Sequence, residues 1–284
     1  MTTITPTSAH PAQRTHSTSL SFGGVLGSEW IKLRSLRSTI WSYGIVIAIS
    51  LGMALIMSLS MVSGMNGAMD AASAPAEQQT QFVLQASVFG VYFGQLVAGV
   101  LGVLVISGEY TTGMIRSTLT AVPKRLPALA AKAVVLFLAT FVVGLIANLA
   151  AFVLSSVIFS GIDVAASITD PAVFLSLIGG ALYLALVAAF ALGVGTMLRS
   201  SAGGIAAVLG LILLLPTVLQ MIPADWAHDL IPYLFSSAGM SMFTSTTAEP
   251  TADGFGVWLN LLIVLGWVGA SIAGAAVLLK RRDA

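Results

Sequence analysis

Six stretches of this chain, at about 39–62, 82–107, 131–159, 172–198, 203–222 and 256–279, are apolar along their length. A helix needs about 20 such residues to cross a hydrocarbon core. This feature leaves little choice of fold. Inside a bilayer every backbone N–H and C=O must be paired within the protein, so only helices and closed barrels span it. None of the six stretches alternates with the two-residue period of a barrel strand. The predicted fold is therefore an all-α integral membrane protein with six transmembrane helices. Composition agrees: 8% of the residues are charged and the mean hydropathy is +0.98, whereas a soluble domain carries about 25% charged residues. The chain has no cysteine, which excludes disulfides, thiolate catalysis and Cys-ligated zinc. Residues 1–22 are rich in Ser, Thr and Pro with no apolar run and read as a disordered tail. Residues 23–284 form the six-span domain.

The charges orient the helices. Lys and Arg stay on the cytoplasmic side of a membrane protein. With six spans, all 12 basic residues fall on one side. Arg14, Lys32, Arg34 and Arg37 precede the first span. Arg116, Lys124, Arg125 and Lys132 lie between the second and third, Arg199 between the fourth and fifth, and Lys280, Arg281 and Arg282 after the sixth. Most acids fall on the other side, among them Asp70, Glu77, Asp163, Asp170, Asp225, Asp229, Glu249 and Asp253. One span more or fewer would destroy this segregation. Both termini are expected in the cytoplasm.

Three polar segments invite a role. The first is GEYTTGMIRSTLTAVPKRLPALAAK, residues 108–132. On a helical wheel Glu109, Thr112, Gly113, Arg116, Ser117 and Thr120 share a narrow polar arc. Pro123 ends that helix, and Pro127 suits the first turn of the next. A cytoplasmic loop needs basic residues merely to hold its side of the membrane. A docking element for a cytoplasmic partner is the other reading. The second segment, SEWIKLRSLRSTIW at 28–41, reads as an interfacial helix with Ser28 as N-cap. Its apolar stripe is Leu26, Trp30, Leu33, Leu36 and Ile40. The third, DWAHDLIPYLFSSAGMSMF at 225–243, is too short and too polar to span. It is predicted as a surface helix or a re-entrant hairpin, with Asp225 as a possible cap.

No Asp, Glu, Lys, Arg or His lies in the middle of a predicted span, which argues against an ion-coupled transporter. The three His lie outside the spans and there is no HExxH motif, so neither a zincin site nor a His-assisted membrane protease is supported. No Lys follows a Gly, so there is no P-loop. Asn148, Asn260 and Gln95 are expected to make interhelical hydrogen bonds. Gly90 and Gly94 have the spacing of a weak helix-packing motif.

In order along the chain, the SEWIKLRSLRSTIW helix, the EYTTGMIRSTLTAVPKRLPALAAK loop and the WAHDLIPYLFSSAGM segment resemble the permease subunit of type-2 ATP-binding-cassette (ABC) exporters, over about residues 24–282. The family's E-x-x-x-G element corresponds to Glu109–Gly113, its basic break to Pro123-Lys124-Arg125, and its Lys opening the third span to Lys132. The resemblance implies two paired permeases, each docking a cytoplasmic ATP-binding subunit that binds the ATP and Mg. This chain is then no enzyme by itself and holds no cofactor or metal. It implies a coupling helix after the second span, with contacts from Glu109, Tyr110, Thr112, Gly113, Arg116, Lys124 and Arg125. Glu29, Trp30, Lys32 and Arg34 belong to the interfacial helix. The implied activity is export of a hydrophobic or amphipathic substrate (drug, peptide antibiotic or lipid) across the plasma membrane, with no role for nucleic acid. The alternatives are a membrane anchor of a sensory or resistance complex, and a stand-alone channel or secondary transporter.

Overall fold

The computed structural model describes residues 21–64, 73–114, 125–244 and 255–281. Among them every regular element is helical, and six helical segments are long and apolar enough to cross a membrane. A short helix α1 (Phe22–Ser35) leads into the first span, α2 (Arg37–Gly64). The second span is α3 (Ala76–Val88) followed by α4 (Gly90–Thr111). The third is α5 (Arg125–Ser160) and the fourth α6 (Pro171–Leu198). The fifth is α7 (Ser201–Leu209), a π-helical segment (Gly210–Leu214) and α8 (Leu215–Met221). After α9 (Asp225–Leu230), a 3-10 turn (Ile231–Tyr233) and α10 (Phe235–Thr244), the sixth span is α11 (Val257–Arg281). The six predicted spans are all present among the described residues.

Local chemistry accounts for several boundaries. Asp170 caps α6, its Oδ1 accepting from the Ala172 N–H at 2.9 Å, and Pro171 fills the first helical position. A proline tolerates that position because its missing N–H has no helical partner there. In the fifth span Pro216 lacks an N–H and its ring crowds the carbonyl four residues back. The π segment at Gly210–Leu214 absorbs that mismatch.

The fourth span is the axis of the molecule. It packs against the second, third and sixth spans and the α7 half of the fifth, and most of its side chains are buried. A helix buried on all sides needs apolar residues all round, and α6 is almost wholly Ala, Leu, Val, Gly and Phe. Polar side chains fasten it to its neighbours. Asn148 Nδ2 donates to Leu177 O at 3.0 Å, and the Tyr183 hydroxyl donates to Gln95 Oε1 at 2.5 Å. Gly90 sits against Ser50 of the first span. Asn260 is a correction: its Nδ2 donates to Phe255 O at 2.9 Å, at the start of its own helix. Asn260 lies in the first turn of that helix, where the carbonyls just before it are still open to a side-chain donor.

The segment after the fifth span dips back among the helices. α10 runs antiparallel along α6, with Ser176 Oγ donating to Phe243 O at 2.7 Å near one end. Near the other, Phe235 stacks on Phe190 with ring centroids 4.6 Å apart. Phe190 lies roughly 28 Å along the helix from Pro171 at 1.5 Å per residue, so α10 begins deep between the spans. Trp267 Nε1 on the sixth span donates to Tyr233 O at 3.0 Å. These contacts hold α10 among the spans of the bundle. One sequence expectation changes here. Asp225 is the first residue of α9, and the capping position is Ala224, which offers no side chain. Trp226, Leu230 and Tyr233 are exposed, whereas Ala227 and Leu234 face the protein.

Candidate functional site: a buried ion cluster at the basic end

One end of the bundle gathers the end of α1, the last turn of α4, the first turns of α5, the end of α6 and the last turn of α11. Leu129, Met197 and Leu279 meet there, and Ser201 Oγ donates to Ser107 Oγ at 2.9 Å. The charged residues of these elements do not all point to water. Lys132, in the second turn of α5, donates from Nζ to Glu109 Oε1 at 2.8 Å and to Glu29 Oε2 at 2.5 Å. Lys32 reaches the same carboxylates, Glu29 Oε1 at 2.7 Å and Glu109 Oε1 at 3.3 Å. Four side chains from three elements, two carboxylates and two ammonium groups, form one cluster. Glu29 is 3% exposed, and Glu109 and Lys132 are each 6% exposed. Lys32 stands at the edge, half-buried.

Isolated ions buried to this degree would be costly, and pairing offsets that cost only when the geometry is good. Three of the four contacts are short enough for charge-assisted hydrogen bonds. Lys32 shows the balance. Burial works against its charge, but the hydrogen bond to Glu29 and the fields of Glu109 and Glu29 outweigh it, and its pKa rises above 10.5. Glu109 Oε2 is enclosed with no hydrogen-bond partner among the described residues. A cavity of about 260 Å³ lies beside the cluster, walled by Glu29, Lys32, Leu36, Gly108, Glu109 and Lys132.

The structure treats the sequence-predicted residues differently. Glu109 and Glu29 join the cluster with Lys32. Tyr110 is half-buried, and the Arg199 guanidinium lies over its ring, 5.3 Å from the centroid. Thr112 is exposed at the end of α4, its Oγ1 donating to Gly108 O at 2.8 Å. Gly113 follows with φ of +71°, a left-handed conformation that favours glycine. The continuous helix read across 109–121 is thus corrected: α4 ends at Thr111, because Gly113 turns the chain out of the helix. The polar arc is also corrected at its first member, since Glu109 turns inward to Lys132. Arg116 and Lys124 lie outside the described residues, and Arg125 opens α5. Trp30 and Arg34 are exposed on α1.

The interfacial helix is corrected in three respects. Its N-cap is Ser21, whose Oγ accepts from the Gly24 N–H at 3.1 Å. Ser28 lies inside the helix and donates to Val25 O. The chain breaks at Leu36, which takes extended backbone, so 28–41 is two helices and not one. The buried face of α1 is Val25, Glu29 and Leu33, in place of the stripe through Trp30 and Leu36. Glu29 occupies an inward position because Lys132 waits opposite. Lys132 is the residue the contact reasoning passed over. Its signal was a lone lysine inside the start of an apolar run, where nothing but a carboxylate from another element could neutralise it.

A sequence model of the family described as ABC-2 family transporter protein matches residues 25–284. No match to a curated protein sequence was found. The match spans α1, all six membrane helices and the dipping segment, so it covers every element that builds the cluster. The chain belongs to the ABC-2 transporter family and is a membrane-spanning subunit of an ABC transporter.

Proposed function

We propose that this chain is the permease subunit of an ATP-driven exporter in the plasma membrane. Two permeases pair, and each docks a separate cytoplasmic subunit that binds ATP and Mg. The observation that carries the reading is the buried cluster of Glu29, Lys32, Glu109 and Lys132. It ties α1, the end of the second span and the start of the third into one joint. The chain segment that leaves this joint at Gly113 is the docking element, with Thr112, Gly113, Arg116, Lys124 and Arg125 at the contact. A push on that segment is passed through Glu109 to Lys132 and Glu29. The second and third spans then move with α1 as a unit. Glu109 acts as a positioning residue for the joint and Tyr110 steadies it through Arg199.

The cargo is a hydrophobic or amphipathic molecule. Among the described residues the charged groups of the spans lie near their ends, which leaves the middle of the bundle uncharged. The test is ATP hydrolysis by the chain reconstituted with its ATP-binding subunit in vesicles. Glu109→Ala is expected to lower cargo-stimulated hydrolysis about tenfold, the scale of a 1.4 kcal/mol loss, while basal hydrolysis and membrane insertion persist. Full stimulation in that variant would overturn the coupling role. Purification from native membranes without any ATP-binding partner would overturn the permease reading.

A further inference from the structure

A second cavity, of about 330 Å³, lies between α1, the start of the first span and the third span. Leu33, Ile40, Leu138 and Val142 wall it, with Trp30 and Arg34 at the α1 side. It owes its existence to the break at Leu36, which swings α1 away from the axis of α2 and leaves the angle between them unfilled. Arg34 is exposed and forms no ion pair among the described residues. The cavity is apolar along its length and basic at one end.

We propose that this groove holds an anionic glycerophospholipid, with an acyl chain against Leu138 and Val142 and the phosphate at Arg34. Two observations favour a lipid over a protein segment. Ile40, Leu138 and Val142 belong to membrane-spanning helices, where the surrounding solvent is acyl chain. The single charge lies at the end of the bundle where α1 and the span termini meet, the level of headgroups. There an arginine attracts anionic lipid, and an exposed Trp such as Trp30 favours the same interface. A lipid seated there would wedge α1 against the third span. Since α1 carries Glu29, the lipid would bear on the ion cluster through the helix itself. The groove stands on the fold alone and does not require the coupling role proposed above.

The experiment is native mass spectrometry of the purified full chain in neutral detergent, titrated with phosphatidylglycerol or phosphatidylcholine of matched chains. Phosphatidylglycerol is expected to be retained about fivefold more tightly, the effect of one arginine near a membrane surface. Arg34→Gln should bring it to the level of phosphatidylcholine. Val142→Phe, which narrows the groove from its exposed side, should weaken retention of both lipids. Arg281→Gln, at the same end but outside the groove, should change nothing. Equal retention of the two lipids by the unaltered chain would overturn the proposal. So would an Arg34→Gln variant that keeps its preference, a Val142→Phe variant that binds normally, or an Arg281→Gln loss as large as that of Arg34→Gln. Monodisperse elution of each variant confirms folding before its spectrum is read.

Discussion

At the scale of single residues, the cluster ranks its own members. Removing one partner of a buried ion pair leaves the other charge stranded, at a cost of about 3–5 kcal/mol. Lys132→Met leaves Glu29 and Glu109, each almost wholly enclosed, to share the single ammonium of Lys32 at the edge of the site. It should lower the thermal unfolding midpoint in detergent far more than Lys32→Met, whose ammonium is partly hydrated and whose pairs are those of an edge site. Equal effects would mean that the cluster is not held by Lys132. The pH dependence of Lys32 has a defined sign. Its folded pKa lies above the ordinary 10.5, so its contribution is complete below the unfolded value and is lost as pH rises through the folded one. The difference in midpoint between the unaltered chain and Lys32→Met should therefore stay constant from about pH 6 to 9 and shrink only above 10.5. A difference that changes near neutrality would point to another group.

At the scale of elements, the dipping helix α10 is held by a close approach. A methyl group placed on Gly239 would fall inside the Tyr183 ring, and Tyr183 is fully buried and tied to Gln95. Neither side has room to yield. Gly239→Ala should cost about 1–3 kcal/mol, the range for overpacking a filled core, and should displace α10 before it disturbs any span. Because the chain has no cysteine, a single Phe235→Cys gives a clean probe. It should resist a membrane-impermeant maleimide in the otherwise unaltered chain and react in the Gly239→Ala background. Protection in both would show that α10 is retained by other contacts. The break at Leu36 belongs to the same scale. Local sequence favoured one helix through it, but α1 must turn aside to set Val25, Glu29 and Leu33 against the third span.

At the scale of the whole molecule, the segregation of charge makes a topological prediction. Ser35→Cys and Asp229→Cys, both exposed, sit at opposite ends of the bundle. In intact cells an impermeant reagent should label Asp229→Cys and spare Ser35→Cys, and should label both after permeabilisation. The reverse pattern would invert the orientation read from the basic residues.

The six spans were legible because a bilayer tests each helix by itself: length and the absence of charge are enough, and the neighbours are not needed. The turn at Asp170-Pro171 was legible for the same reason, since its cap and its proline lie within one stretch of chain. The sequence by itself thus determined the number of spans and the family resemblance. It did not determine where Glu29 and Glu109 point. Glu109 was read as part of a polar arc and Glu29 as a residue of the interfacial helix, whereas each turns inward to Lys132, 103 residues from Glu29 and 23 from Glu109. Only the tertiary structure decides such a pairing, because an ion is stable in an apolar interior only when a second element delivers its counter-charge. The depth of α10 was decided in the same way: a short apolar helix lies on a surface or inside a bundle according to whether Tyr183, Phe190 and Trp267 converge to receive it.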